Sequence, residues 1–457
     1  MNEAYRENDW VGHEMRYLAL ADERLTKRAK GMIQALSEQP SKSIPEACEN
    51  WAATKGAYRF LENEAVEAVQ IRAAHYQATG ERLAGQPRIL VIQDTSELSY
   101  TGKEVAEHLG ALSNRTSRGV LMHSALAVSV SGVPLGLVHQ HFWIRDDDQS
   151  GKSHFVRQRE TQEKESQRWL DGVQAVEKVV PGEVELIHIT DREGDIFDLF
   201  ALQRQARSQL LIRVTHNRRV EHETGYLLDA LSQAPVRGIV RVQVTPQAHR
   251  EAREAILTVR FLSLTIRPPH KAKGPGVLLQ FILAQETQPP PDEAPIQWML
   301  ATSLPLNSLE DALTCLHYYA LRWLIERFHY VLKSGCRIEQ LYLQTPDRLL
   351  RALAIYSIVA WRLLWLTYEA RHHPNQPCTV ILQTHQWQAL YCTIHKTATP
   401  PAMPPSLSQA VLWIARLGGF LARSHDGFPG PKTIWQGLRR LDDIANTWLL
   451  LHPQDNT

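Results

Sequence analysis

The chain has 457 residues, 44% of them hydrophobic and 22% charged, with 50 Lys and Arg against 49 Asp and Glu and a net charge of +1. That length exceeds what one hydrophobic core usually organises and predicts two to four domains, at least one of them around a large buried sheet. The even balance of charge excludes an acidic tail and a uniformly basic coat, so a nucleic-acid partner would have to be met by local positive charge.

Five cysteines (Cys48, Cys315, Cys336, Cys378 and Cys392) are odd in number and scattered, with no CxxC or other metal-ligand spacing. A reducing compartment fits this best. The start, MNEAYRENDWVGHEMRY, is polar, and no stretch reaches about 18 uninterrupted apolar residues. The expectation is a soluble, cytoplasmic protein with no membrane partner.

In chain order, residues 1–70 read as helical. LALADERLTKRAKGMIQALSEQ carries a basic cluster at Arg24, Lys27, Arg28 and Lys30. In SIPEACENWAATKGAYRFLEN, Ser43 stands where a helix cap would, two residues before Pro45, and Trp51, Lys55 and Arg59 recur on one side at i,i+4 spacing. The residues alone fit equally well a helical unit that binds something and a solvated cap on the next domain.

RILVIQDTSEL changes the texture. Ile89 to Ile92 form a continuous apolar run, as expected of a strand covered on both faces, with Asp94 just past it. HSALAVSVSGVPLGLVHQHFW holds two runs around Ser131-Gly132, a hairpin signal. A polar helical stretch, RQRETQEKESQRWLDGVQAVEKVV, leads to a second buried strand, Val184 to Ile189, followed by Asp191 and a helix rich in Phe and Leu after Gly194. QLLIRVTHNRR supplies another strand. Strands alternating with helices argue for an α/β core.

From about 220 to 304, four alternating runs split by HKAKGPG and PPPDEAP predict an inserted antiparallel sheet. YYALRWLIERFHYVLKSG, Tyr318 to Gly335, then reads as one amphipathic helix. At about 100° per residue, Tyr319, Arg322, Glu326, Tyr330 and Lys333 share one stripe, opposite Leu321, Leu324, Ile325, Phe328, Val331 and Leu332. On its own this stripe reads as a solvated face with an i,i+4 ion pair between Arg322 and Glu326. TPDRLLRALAIYSIVAWRLLWLTYEA, apolar on more than one side, predicts a buried helix. RHHPNQP and TATPPAMPPS read as linkers before a final helical segment that starts at LSQAVLWIARLGGF.

Asp94 and Asp191 share a context, the carboxyl end of a buried strand, where open α/β sheets place their chemistry. Either alone is readable as a turn-former or helix cap. Two of them, followed by a Glu on an amphipathic helix, form an all-oxygen set suited to Mg²⁺ or Mn²⁺ and to a two-metal displacement at a phosphodiester. There is no G-x-x-x-x-G-K-[ST] loop and no H-E-x-x-H. A glycosidase pair fits poorly, because Arg and Lys beside Glu326 would lower the pKa of the required acid.

QDTSELSY around Asp94, TDREGDIFDLF around Asp191 and the Y-x2-R-x3-E-x6-K pattern of Tyr319, Arg322, Glu326 and Lys333 resemble the DDE transposases of the insertion-sequence-four group. SIPEACENWAATKGAYRF, WMLATSLP and IARLGGF are similar to that family too, so the resemblance runs over nearly the whole chain. It implies an α/β, ribonuclease-H-like mixed sheet core at 71–370, with the β insert at about 220–304. Helical domains flank this core: a DNA-end-binding domain at 1–70, and a linker with a dimerisation domain at 371–457.

The resemblance further implies that Asp94, Asp191 and Glu326 are the catalytic residues and hold two Mg²⁺ ions, with Mn²⁺ able to substitute. Activated water would nick the transposon end, and the freed 3′-hydroxyl would form a hairpin on the opposite strand. The same site would then reopen that hairpin and join the end to target DNA. Trp298 would stack on a flipped base, Tyr319, Arg322 and Lys333 would bind neighbouring phosphates, and Arg213 would contact DNA. Arg24, Lys27, Arg28, Lys30, Lys55 and Arg59 are implied phosphate contacts to the duplex end, within a homodimer at the bacterial nucleoid. Tyr330 departs from the family, standing where a lysine is expected, and residues 371–406 do not follow it. Two rivals stay open: a regulatory relative that binds ends without cutting, and a ribonuclease-H-like nuclease that cuts without transposing.

Overall fold

A computed structural model describes residues 9–48, 50–146, 165–244, 252–270, 274–423 and 426–452. The chain divides into two compact units, one built from 1–84, 95–153 and 324–457, the other from 85–94 and 154–323.

The first unit opens with five helices: α1 (Trp10–Glu14), α2 (Glu23–Glu38), α3 (Ile44–Ala47), α4 (Trp51–Glu62) and α5 (Ala68–Leu83). Their starts are written locally. Asp22 and Asn50 cap α2 and α4. Ser43 and Glu46 form a reciprocal capping box around Pro45, whose missing N–H costs nothing in a first turn.

Strand β1 (Arg88–Ser99) belongs to both units. In the first, its second half neighbours β3 (Arg118–Ser129), which also pairs with β2 (Gly110–Ala111) and, antiparallel, with β4 (Pro134–Trp143). The β3–β4 hairpin turns at Gly132, with φ of 98°. At Gly136 of β4 an added Cβ would lie 2.1 Å from the Thr79 hydroxyl, so glycine there lets α5 seat directly on the strand.

The second unit is α/β. In chain order it holds α6 (Gln167–Val179), β5 (Glu185–Thr190), α7 (Phe197–Ala201), β6 (Ser208–Arg213), α8 (Leu227–Gln233), β7 (Gly238–Val244), β8 (Arg253–Ile266), β9 (Val277–Glu286), β10 (Gln297–Thr302) and α9 (Leu309–Ala320). Its strands run in the order β1-β5-β6-β10-β9-β8-β7, parallel from β1 to β6 and antiparallel beyond. The ten strands thus make a mixed sheet. Its parallel part is continuously apolar: Ile89, Leu90, Val91, Ile92, Leu186, Ile187 and Ile189 are all fully buried. Each such side chain contributes roughly 1.5–3 kcal/mol. Trp169, Phe200 and Phe281 centre the core of this unit.

The insert is antiparallel, as its alternation predicts, but it is not a separate sheet. β10 pairs with β6 through Leu300 and Arg213 and extends the same sheet. The insert also contains α8, absent from the sequence reading, whose Leu227, Ala230 and Leu231 are buried at helical spacing.

Back in the first unit lie α10 (Trp323–Tyr330), α11 (Pro346–His372), α12 (Thr384–His395), α13 (Leu407–Leu417) and α14 (Pro431–Leu451). α11, capped by Thr345, packs on α2, α4, α5 and β4. It is the one described helix long and apolar enough to span a membrane, and 89% of its apolar window is buried inside the protein. Arg351 donates to the carbonyls of Leu61 and Val66, and Trp361 to that of Pro134, tying α11 to what it covers. α12 sits between the two expected linkers, and residues 418–430 separate α13 from α14, so the final segment is not one helix. The first part of the expected polar helix, before 165, lies outside the described residues.

Candidate active site and DNA-binding residues

β1 and β5 are parallel neighbours with Ile92 opposite Ile189. Asp94, inside β1, and Asp191, the residue after β5, each stand two residues beyond that last pair, at the same end of the two parallel strands. Both are half-buried. Asp94 does not end its strand, as expected, but lies inside it: β1 continues to Ser99 because its second half finds a new neighbour in β3. Asp191 follows β5 directly and accepts the Glu193 N–H at 2.9 Å, capping a short turn. It is a cap and a candidate ligand at once.

A residue missed by the sequence reading holds this turn. Asp195, buried, accepts the Thr215 and His216 N–H groups, both at 2.8 Å, and pairs with Arg218 at 2.5 Å. It thereby fixes the chain that follows Arg213 to the turn that follows Asp191. The signal was present in DREGD, but a carboxylate that anchors a distant loop looks like any turn residue. Also missed was a buried polar ladder beneath the aspartates. His188 meets Gln93 at 3.3 Å through Nδ1 and Ser208 Oγ at 3.0 Å through Nε2, linking β1, β5 and β6. Burial, helped by the Arg204 and Arg207 charges, pushes His188 down to about 3, so the ring is neutral.

Tyr319, Arg322, Arg213 and Trp298 gather in the second unit. Tyr319 is 4% exposed, not solvated as its stripe suggested. Its ring meets Trp298 edge-on, with centroids 5.3 Å apart, and the Arg322 guanidinium lies 5.9 Å from its centre. Burial raises the phenol pKa, the Arg322 and Arg213 charges oppose that rise, and the Asp191 charge adds to it. Tyr319 therefore lies within reach of the Asp191 charge and of both arginines. Arg213 donates to the Gln297 carbonyl at 3.3 Å.

The segment 318–335 is not one helix. α9 ends at Ala320, Leu321 and Arg322 make a turn, α10 runs to Tyr330, and Val331–Gly335 is a π-helical turn. The apolar arc survives this: Leu324, Ile325, Phe328, Val331 and Leu332 are buried, while Leu321 is half-buried. The polar stripe does not follow, because the turn at 321–322 and the wider π turn each reset the 100° increment. Glu326 stands half-buried in the first turn of α10, and Lys333 half-buried in the π turn. Among the described residues no three His, Cys, Asp or Glu side chains form a ready metal cluster. The chemistry of the donors still fits a hard divalent cation, since Asp94 and Asp191 bring carboxylate oxygens to the same end of β1 and β5.

In the helical N-terminus, Arg24, Lys27, Arg28, Lys55 and Arg59 are exposed and Lys30 is half-buried. Arg28 of α2 lies against Gly56 of α4, where an added Cβ would strike its guanidinium. α4 also presents Trp51, 76% exposed, beside Lys55 and Arg59. Lys27 pairs with Glu23 at 3.5 Å, both side chains exposed.

Three families match the chain in order. Residues 7–66 match the family described as Transposase DNA-binding, 153–362 the Transposase DDE domain, and 358–447 the Transposase Tn5 dimerisation domain. The DDE match takes in Asp191, Trp298, Tyr319, Arg322, Glu326 and Lys333, whereas Asp94 lies upstream of it. With a mixed sheet, helical termini and this order of domains, DNA and a second copy of the chain are its partners, and nucleotidyl transfer is its chemistry. The chain belongs to the Tn5-like DDE transposases.

Proposed function

We propose that this protein is a cut-and-paste transposase that nicks its transposon ends, forms and resolves a DNA hairpin, and transfers the 3′ end to target DNA. The observation that carries the reading is that Asp94 and Asp191 lie at the same end of two adjacent parallel strands, inside a chain that matches all three transposase domains. Asp94, Asp191 and Glu326 would hold two Mg²⁺ ions, for which Mn²⁺ would substitute. When bound, such ions lower the pKa of the attacking hydroxyl and neutralise charge on the phosphodiester.

The remaining roles fall to the chain's own side chains. Tyr319, Arg322 and Lys333 bind phosphates flanking the scissile bond, the Arg322 guanidinium being suited to bidentate contact, and Arg213 contacts the DNA. Trp298, held by the edge of Tyr319, receives a base flipped from the duplex; stacking returns about 1–3 kcal/mol against an unstacking cost of a few. Arg24, Lys27, Arg28, Lys30, Lys55 and Arg59 bind the backbone of the transposon end. The domains then run from an end-binding 1–70 through a catalytic 71–370 to a dimerising 371–457, and the protein works at the nucleoid of a bacterial cytoplasm.

The test incubates purified protein with DNA carrying its flanking terminal repeats in Mg²⁺, Mn²⁺ or Ca²⁺. Nicks, hairpins and strand-transfer products in Mg²⁺ are expected. Binding without any cutting would favour the regulatory relative, and cutting without strand transfer the nuclease.

A further inference from the structure

A second basic site lies away from the aspartates. In the first unit, a cleft of about 530 Å³ is bounded by Tyr330, Arg337, Lys432, Trp435, Arg439 and Arg440, and no Asp or Glu contributes to its described lining. Lys432, Trp435 and Arg439 recur at i, i+3 and i+7 on α14 and so share one face. Arg337 enters from the segment after the π turn, with its backbone in the left-handed region at φ 53°.

Aromatic rings back these cations. Trp435 is buried against Gly335, where an added Cβ would come within 3.0 Å of the indole, and half-exposed Tyr330 packs on it with centroids 5.7 Å apart. Nearby acids are engaged elsewhere or lie outside the lining: Asp443 is 3.9 Å from Lys42, Asp442 accepts from Gln39 at 2.7 Å, and the Glu46 charge reaches Arg337. Arg440 donates to the Leu417 carbonyl. Among the described residues, neither Lys432 nor Arg439 has an ion pair.

Gathering four cations without acids in the lining costs repulsion unless a polyanion occupies the space. We infer that this cleft binds the phosphodiester backbone of duplex DNA outside the segment being cut. Lys432, Trp435, Arg439 and Arg440 fall within the dimerisation-domain match, but a two-fold contact through this cleft would bring two acid-free basic linings together, which favours a polyanion as its occupant. The inference rests on the chain being a DNA transposase and not on which residues cleave. It also gives Tyr330 a place, as an aromatic wall of this cleft.

The test uses the full chain and a duplex lacking terminal repeats, with affinity read by fluorescence anisotropy between about 50 and 200 mM KCl. K432E/R439E is expected to bind at least about tenfold more weakly, and K432Q/R439Q to lower the log–log salt slope by about 1–2, near 0.9 per lost phosphate contact. Circular dichroism confirms folding, and sedimentation follows the dimer. Unchanged affinity and slope in both folded variants would overturn the inference, as would a changed dimer equilibrium with DNA affinity intact. Cutting of repeat-bearing DNA by the parent protein is measured alongside. Its absence would remove the cleavage reading and leave the slope result standing.

Discussion

Asp94 and Asp191 lie at the same end of two neighbouring parallel strands, each two residues beyond the Ile92–Ile189 pair. One continues its strand and the other caps a turn, so what brings them to one end of the sheet is the pairing of β1 with β5 and not a shared local motif. Substitutions that leave the sheet intact should therefore separate chemistry from folding.

Asp195→Asn tests the anchor of this region. A buried carboxylate holding Arg218 and two N–H groups leaves the Arg218 charge uncompensated when neutralised; since the amide oxygen still accepts, the cost is about 1–3 kcal/mol, below that of removing the partner outright. Urea unfolding should show that loss in the midpoint. A variant within about 0.5 kcal/mol of the parent, the usual range for surface changes, would show that the loop after β6 does not depend on Asp195.

Trp298→Ala should spare end binding and reduce hairpin formation by about 5- to 150-fold, the equivalent of 1–3 kcal/mol of stacking. Single-turnover assays on nicked ends read this directly, with 2-aminopurine fluorescence reporting the flipped base. Hairpins forming at the parental rate would place the flipped base elsewhere.

His188 predicts a pH dependence of stability. Folding lowers its pKa from 6.5 to about 3, so between those values the unfolded chain binds a proton that the folded chain does not. The contribution is complete above pH 6.5 and is lost as pH falls toward 3, on the order of 5 kcal/mol in total. His188→Gln should flatten the fall in stability between pH 7 and pH 4. An equally steep curve would show that other groups carry it.

Glu14 offers a fourth test, in the first unit. It is buried between His75, 2.6 Å from its Nδ1, and Arg82, which donates at 2.6 and 3.1 Å. Burial raises its pKa, but Arg82 and His75 outweigh that and hold the carboxyl far below the ordinary range. Glu14→Leu should cost about 3–5 kcal/mol by stranding Arg82, read as a lowered unfolding midpoint. Glu14→Gln should cost less, since the amide oxygen still accepts one bond.

Much of this was legible in the sequence for physical reasons. Ile89–Ile92 and Val184–Ile189 read as strands because parallel strands are buried on both faces, and Ser43 with Pro45 marks a helix start because capping is local. The β3–β4 hairpin and the buried α11 followed from patterning of the same kind. What stayed hidden depends on partners distant in the chain. Nothing near Arg213 says that β10 will pair with its strand, and nothing near Arg337 says that Arg439 will face it. The break at Leu321–Arg322 was invisible for a different reason. A helical wheel records which side is apolar but not where the hydrogen-bond pattern changes.

The most direct test of the account compares Asp94→Ala, Asp191→Ala and Glu326→Ala with the parent protein on repeat-bearing DNA in Mg²⁺, scoring end binding and cleavage separately. Each variant is expected to bind ends as the parent does and to lose cleavage by more than about 100-fold, beyond the 10–100-fold cost of losing an outer-shell partner of a metal ligand. Cleavage by Glu326→Ala at the parental rate would contradict it.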